Sequence, residues 1–398
     1  MRVAHFLGGI LPRHTDYEDL KVLVEDHGVW LRHMTEHLAR RGHKIMMCLF
    51  YPRSGTVHLN GVEWRFYRPI FLPRILRDGK EWNPLLCRDL LRWGPQIIHF
   101  HILTYDANLF ATSFLCRLLR IPFLAHHHGE PIPRPTKRLR RRLIRLGLRQ
   151  ATTVLFLTEE DRARWTSWTS IRRPRVVPTG YSSEFTPGNR EEARGRTGLT
   201  GDPLVLWVGY LRQSKNPLMV LQGFRLFSER FPGARLHMVG DGSLSGAVEQ
   251  AVRADPLLGE RVVCHGALPQ RRLPDFYRSA DLFVLGSWFE GLGAVCLEAM
   301  ACGAVPVVTD VSGFRAATDE GRYGILYPPG DPEALAAALE GLARDPARRE
   351  AMAKSALDWV QRFRWDRIAE GLEALYAELL EDRPAKSQSR SGASGIRT

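Results

Sequence analysis

The chain has 398 residues, too many for one ordinary core, and a prior of roughly 150 residues per domain points to two or three. Its composition, 44% hydrophobic and 25% charged, excludes a disordered or fibrous polymer. No run of about 18 uncharged apolar residues occurs, which argues against a spanning helix.

Six cysteines (Cys48, Cys87, Cys116, Cys264, Cys296, Cys302) are scattered with no CxxC spacing, so neither a zinc site nor a disulfide framework is supported and a reducing, cytoplasmic setting is expected. The net charge of +13 is unevenly placed. Up to Phe185 there are 30 basic against 16 acidic residues; the remainder holds 26 against 27. Such asymmetry implies an anionic partner for the first half: a membrane surface, a phosphorylated lipid or nucleic acid.

In chain order, residues 2–7 read as a first strand; they are too short, and lack the small-residue cleavage site, for a signal peptide. Residues 29–41 read as a helix stopped by Gly42, and 45–50 as the next strand. Strands follow at 96–100, 122–126, 153–157 and 175–177, with a helix at 111–119 between the first two. After the loop Thr186-Pro187-Gly188-Asn189 a second series begins, with strands at 204–208, 235–239, 261–264, 282–285 and 305–309 and helices at 217–230 and 297–301. The fold class is therefore α/β: two successive doubly wound Rossmann-like units facing each other across a cleft, with ligands outside the carboxyl ends of the strands. Residues 383–398 are too polar to order themselves and are expected to be disordered.

The segment 287–303 carries the chemistry. Gly291 and Gly293 flank Leu292 just before a helix, and such a turn presents backbone N–H groups and a positive dipole end to a phosphate or a sugar hydroxyl. Glu290 precedes the turn and Glu298 lies on the helix, placed to hold a sugar ring and a ribose at opposite ends of a diphosphate. The bland alternative is a glycine turn with two solvated glutamates.

This Glu-x7-Glu arrangement resembles the signature of the retaining, group 1 family of glycosyltransferases, of two-lobed GT-B type. Further segments resemble that family in its own order: Val208-Gly209 through Asn216 a donor-diphosphate loop, Val239-Gly240-Asp241-Gly242 the next strand end, Pro178-Thr179-Gly180-Tyr181 the domain junction, His126-His127-His128-Gly129 a strand end of the first domain, and 324–331 a late loop before the closing helices. The resemblance implies an acceptor domain at 1–185, joined by a closing C-terminal helix at about 363–382, and a donor domain at 186–362. It implies a hexosyltransferase-type enzyme using a nucleotide diphosphate sugar as co-substrate, with no other cofactor and no metal. Glu290, His128 and Lys215 would be catalytic. Gly209, Arg212, Lys215, Gly240, Glu290, Gly291, Leu292, Gly293 and Glu298 would bind the donor. Three features depart from the family pattern: Tyr210 stands where a cation is usual, with Arg212 as its stand-in; Ala316 replaces a glutamate; and the glycine pair of the first-domain loop is imperfect, with Gly8-Gly9 early and Gly28 alone.

Residues 134–149 form a basic amphipathic helix, with Leu139, Leu143 and Leu146 at i, i+4, i+7 and Arg138, Arg141, Arg142, Arg145 and Arg149 around them. This pattern fits an anionic membrane surface or a lipid-linked, sugar or small-molecule acceptor, hence peripheral attachment at the inner face; a helix docked on its own sheet is the plain alternative. Nucleic acid is disfavoured, because no binding motif is present and no aromatics interleave the arginines. An epimerase or phosphorylase on the same scaffold, or a non-enzymatic basic binding module, are the rival functions.

Overall fold

The computed structural model describes residues 1–10, 19–26, 31–71 and 81–382. In chain order the strands are β1 (Arg2–Ile10), β2 (Lys44–Phe50), β3 (Gly55–Leu59), β4 (Val62–Tyr67), β5 (Ile70–Phe71), β6 (Glu81–Trp82), β7 (Ile97–His101), β8 (Phe123–His126), β9 (Thr153–Phe156) and β10 (Pro174–Val176). After them come β11 (Leu204–Val208), β12 (Arg235–Val239), β13 (Val262–Cys264), β14 (Leu282–Leu285), β15 (Val305–Thr309) and β16 (Ile325–Tyr327). They assemble as two α/β sheets, the GT-B architecture: β10-β9-β8-β7-β1-β2-β4-β3 and β13-β12-β11-β14-β15-β16, with β5 and β6 as a separate pair. All neighbours in the two large sheets run parallel except β3 against β4. The strands β11, β14 and β15 are buried along their whole length, as a strand covered by helices on both faces must be.

Several elements extend or correct the sequence reading. The hairpin β3–β4 was unforeseen, although Asn60 and Gly61 between its strands hold φ of 49° and 80°, the left-handed pair that a tight hairpin requires. β16 lies where only a late loop was expected. The helices expected at 111–119 and 297–301 start earlier, at Asp106 and Ala294. The helix expected at 29–41 is described as Leu31–Arg40; its first two positions, residues 72–80 and the tail 383–398 lie outside the described residues.

Among the described residues five helices open on Asn or Asp followed by Pro, and in four of them (Asn83, Asp255, Asp331, Asp345) that side chain accepts a backbone N–H of the first turn, while Asn216 does not. The last helix, Trp365–Glu381, returns to the first sheet. Its Trp365, Leu372, Tyr376 and Leu379 join Leu31, Met34 and Leu38 of the helix Leu31–Arg40 in one core. The chain crosses between lobes twice, side by side: Tyr181 N–H donates to the Phe363 carbonyl (3.0 Å) and Trp365 N–H to the Tyr181 carbonyl (3.2 Å).

Candidate functional site

In the second sheet the chain order reverses between β11 and β14, so the crevice beyond those two strand ends is where an open α/β sheet binds its ligand. The loop after β11 leads through Gly209 into a short 3-10 turn, Gln213–Lys215, and the loop after β14 leads through Ser287 to Gly293. The two loops are tied together by the Trp288 N–H, which donates to the Ser214 carbonyl at 3.0 Å. There the Lys215 ammonium pairs with the Glu290 carboxylate, and the Ser287 hydroxyl donates to the same carboxylate oxygen at 2.7 Å. Both charged side chains are almost fully covered, so this pair is screened by little solvent.

Glycines make the approach possible. A Cβ on Gly240, at φ 142°, would overlap the Gly209 carbonyl oxygen, and one on Gly313 would lie 2.6 Å from the Glu290 carbonyl. Gly293 holds φ 74° as the N-cap of the helix Ala294–Ala301, and no side chain caps the first turn of that helix. The Leu292 side chain is buried, so only its backbone serves this turn. On that helix the Glu298 carboxylate accepts from the Tyr277 hydroxyl at 2.9 Å. Burial pushes the Glu298 carboxyl up to about 7, against the opposing pull of the Tyr277 hydrogen bond. Ser287 opens the segment 287–303 but was given no role there from sequence, and Tyr277 was not singled out at all.

Arg212 lies in the loop after β11, next to Tyr210. The strand ends at Val208, so it is the loop and not strand alternation that brings Arg212 beside Tyr210. It caps the 3-10 turn as an exposed side chain, with its guanidinium 5.9 Å from the Tyr210 ring centre.

The first lobe meets this site at the end of β8. Gly129, at φ 94°, faces Gly291, and a Cβ on Gly129 would lie 2.6 Å from the Gly291 Cα. Nearby the Thr158 and Ser312 hydroxyls are 3.2 Å apart, and Arg315 pairs with Glu160 at 2.7 Å across the same seam.

Behind Gly129 five imidazoles share one face of the first sheet: His5 on β1, His99 and His101 on β7, and His126 and His128 at the end of β8. His128 Nε2 lies 2.9 Å from His101 Nδ1, and His101 Nε2 lies 3.0 Å from His5 Nδ1. His126 Nδ1 lies 3.1 Å from His99 Nε2, whose ring is bonded through Nδ1 to the Tyr376 hydroxyl at 2.7 Å. Burial holds His5 and His126 down at about 3, and burial with the neighbouring imidazoles holds His99, His101 and His128 well below the ordinary value. All five are therefore neutral at pH 7. Two trios, His5 with His99 and His101, and His101 with His126 and His128, bring ring nitrogens within 4.8 Å of one another. His127 alone turns to the opposite face, against Phe156 and Trp165. From sequence only His128 was placed at the reacting centre; the i, i+2 spacing of 99/101 and 126/128 was the signal for the rest.

The basic helix is described as Arg138–Gln150. Its buried face is Ile144, Gly147 and Leu148, not the leucine stripe, and Leu139 is 57% exposed. The cause is Gly147: a Cβ there would come within 2.9 Å of Leu109, so the helix seats this side on its neighbour Asp106–Leu119. Arg141 and Arg145 lie over the Trp168 ring at 4.9 and 4.8 Å. Arg138, Arg141, Arg142, Arg145 and Arg149 together line an open cavity of about 550 Å³.

The family model described as "Glycosyl transferases group 1" matches residues 189–359, and that described as "Glycosyltransferase Family 4" matches residues 27–185. The chain belongs to the group 1 family of glycosyltransferases. The D-inositol 3-phosphate glycosyltransferase of Acidothermus cellulolyticus is 33% identical over 251 residues, 58% of this chain and 56% of that protein. The enzyme of the same name from Actinosynnema mirum is 37% identical over 213 residues, 51% of each. The chain thus spans about half the length of the curated relatives it matches. Among solved structures, sucrose-phosphate synthase from Thermosynechococcus elongatus superposes with a TM-score of 0.75 at 20% identity, covering 96% of this glycosyltransferase-family chain and 99% of its own. HepE of Anabaena, solved with UDP, gives 0.72 at 17% identity over 95% and 100%. At such identities the likeness establishes the fold. Among the described residues no helix is long and apolar enough to cross a membrane.

Proposed function

We propose that this chain transfers a sugar from a nucleoside diphosphate sugar to an acceptor hydroxyl, with retention at the anomeric carbon and without a metal ion. The observation that carries the reading is the buried Lys215–Glu290 pair at the switch point of the second sheet, beside a glycine-opened helix N-terminus. The incoming diphosphate takes the Lys215 ammonium from Glu290, and the carboxylate so released accepts from the donor sugar's hydroxyls. Glu298, held by Tyr277, accepts from the ribose hydroxyls. Gly209, Gly240 and the 291–293 backbone admit the diphosphate closely. His128 meets the sugar from the other lobe.

In the transfer, the bond between the anomeric carbon and the leaving phosphate oxygen breaks and the acceptor oxygen bonds to that carbon from the same face. The acceptor proton passes to the leaving phosphate oxygen. Lys215 and the helix N-terminus stabilise the charge that builds up on the diphosphate, the kind of term that dominates such catalysis. Meeting of the lobes at Gly129 and Gly291 excludes the water that would hydrolyse the donor.

Two considerations narrow the substrates. HepE was solved with UDP and with UDP-glucose, so uridine-linked hexoses are the first donors to try. The relatives' names carry an inositol phosphate, and the excess positive charge of this chain lies in its first half, so the acceptor is phosphate-bearing or lipid-linked, in cell-surface polysaccharide, glycolipid or glycoside synthesis. The exposed arginines and Leu139 of the helix Arg138–Gln150 hold the protein peripherally on an anionic inner membrane face.

The test is a thermal-shift series of UDP, GDP and ADP in chelator, on the wild type and Glu298→Ala. A ligand at a hundred times its Kd adds about 2.7 kcal/mol, so stabilisation by one nucleotide, lost in the variant, supports the donor site. Stabilisation by none defeats it. Release of nucleoside diphosphate only when acceptor is present separates a transferase from an epimerase or phosphorylase, and an inverted anomer in the product defeats retention.

A further inference from the structure

A smaller cavity, of about 260 Å³, opens on the second lobe away from the Lys215–Glu290 crevice. Asp281 and Gly303 in its wall directly precede β14 and β15, whereas the crevice lies beyond the other ends of those strands. Other walls come from Arg190, which follows the first crossing between the lobes, and from Arg349 and Lys354 on the helix Pro346–Val360, which leads into the second.

The charges around this cavity do not balance. Asp281 is its buried carboxylate, and three guanidiniums crowd it. Oδ2 accepts from the Leu204 N–H and from Arg194, both at 2.8 Å, and Oδ1 lies 3.0 Å from Arg190. Arg349 stands 3.8 Å from Oδ1, beyond hydrogen-bond reach, although its side chain is only 12% exposed. The Nε–H groups of Arg190 and Arg349 are buried with no hydrogen-bond partner among the described residues. Lys354 is exposed and has no ion pair among the described residues.

The other charged or titratable side chains of the wall do not close the gap. Arg278 is engaged with the segment between the lobes: its guanidinium donates to the Thr186 carbonyl at 2.8 Å and pairs with Asp275 at 3.0 Å. Cys302 adds no negative charge, since burial pushes its thiol up to about 12. Glu350 is exposed to solvent. A buried guanidinium with an unmatched N–H is destabilising until a further acceptor reaches it. Two such guanidiniums beside an ammonium offer what a phosphate group takes, several charged donors around one anion. The volume lies below the range, from about 300 Å³, of pockets that enclose drug-sized ligands, and so suits a small anion.

We propose that this cavity binds a phosphate group, carried by the inorganic ion or by a small phosphorylated molecule, through Arg190, Arg349 and Lys354. The bound anion fastens the segment after the first crossing to the helix that leads into the second. The site is independent of the transferase reading, because none of these residues belongs to the Lys215–Glu290 crevice.

The test is equilibrium dialysis of radiolabelled inorganic phosphate against the full chain near neutral pH, at constant ionic strength. The background is Lys215→Met combined with Arg138→Glu, Arg142→Glu and Arg149→Glu, which silences the crevice and the basic helix. One saturable phosphate per chain is expected in that background. Adding Arg349→Met should weaken it by about tenfold or more, the worth of one charge-assisted hydrogen bond. Lys354→Glu, at an exposed helix position where folding is not at stake, should weaken it at least as much. Absence of saturable binding in the background overturns the proposal, and so does equal affinity with Lys354→Glu. Equal displacement by chloride at matched ionic strength also overturns it, since that is the behaviour of a diffuse ion atmosphere. A hexose monophosphate that displaces the label at lower concentration than inorganic phosphate assigns the phosphorylated molecule as ligand, and weaker displacement assigns the inorganic ion.

Discussion

Gly129 of the first lobe and Gly291 of the second stand face to face, with space for a side chain on neither. A Cβ on Gly129 would lie 2.6 Å from the Gly291 Cα, and one on Gly291 would lie 2.9 Å from the His128 carbonyl. In Gly129→Ala the positive φ adds strain of about 1 kcal/mol, and the methyl wedges the lobes apart at the seam. Transfer should fall by about a hundredfold, as a misplacement of about 1 Å does. Nucleotide affinity, which belongs to the second lobe, should change less than about threefold. Steady-state kinetics beside calorimetric nucleotide titration checks both, and an equal loss in each would sink the wedge argument.

Lys215 and Glu290 depend on each other unequally. Lys215→Met removes the cation from a buried carboxylate and from the leaving group, and turnover should drop by about 10²–10³. Glu290→Gln keeps the Ser287 hydrogen bond and frees the ammonium, so the nucleoside diphosphate should bind as tightly or more tightly while transfer still falls. Measuring Kd and kcat for both variants distinguishes them; weaker nucleotide binding in Glu290→Gln would contradict the counter-ion exchange.

Glu298 gives the protein a pH slope. Its folded-state value is raised to about 7 by burial, so between the ordinary 4.5 and 7 the folded chain keeps a proton that the unfolded chain has lost. Stability therefore falls as pH rises through that window, by about 3 kcal/mol for this group when the shift is converted at 1.36 kcal/mol per pH unit. Denaturant unfolding from pH 4.5 to 7.5 should show a component of that sign, absent in Glu298→Gln. In Tyr277→Phe, which removes the hydrogen bond that lowers the value, the upper edge of the window should move higher.

The arginine face invites a vesicle experiment. Arg138, Arg142 and Arg149 reach outward, whereas Arg141 and Arg145 are engaged with Trp168. Each surface arginine contributes about 1 kcal/mol at an anionic bilayer, so Arg138→Glu, Arg142→Glu and Arg149→Glu together should reduce binding to phosphatidylserine vesicles by more than about a hundredfold. Circular dichroism should show no loss of structure. Co-sedimentation reads it, and equal binding by the triple variant would remove the membrane from the account.

The second sheet was nearly transparent to sequence reading: 204–208, 235–239, 282–285 and 305–309 are strands at those limits, because short buried aliphatic runs bounded by turns admit little else. The hairpin β3–β4 escaped because its strands alternate polar and apolar residues over only a few positions. Glu290 and Glu298 were legible through spacing, but their partners Ser287 and Tyr277 were not, since a hydroxyl supporting a carboxylate leaves no periodic trace. The histidine rows were hidden for another reason: His5 lies 94 residues from His99 in the chain, and only parallel pairing of β1 with β7 makes them neighbours. The leucine stripe misled because Gly147, lacking a side chain, outweighed three leucines in deciding which face could approach Asp106–Leu119.

The twin crossing at Tyr181 and Trp365 has a mechanical meaning. One strand of chain between two bodies is a tether, free to swivel in every direction. Two strands fastened to each other by backbone hydrogen bonds, with Gly180 packed so closely that a Cβ would sit 2.7 Å from the Trp365 ring, act as a pinned joint. The two lobes are therefore joined at the crossing by two chain segments that are also fastened to each other, which resists torsion there more than a single tether would.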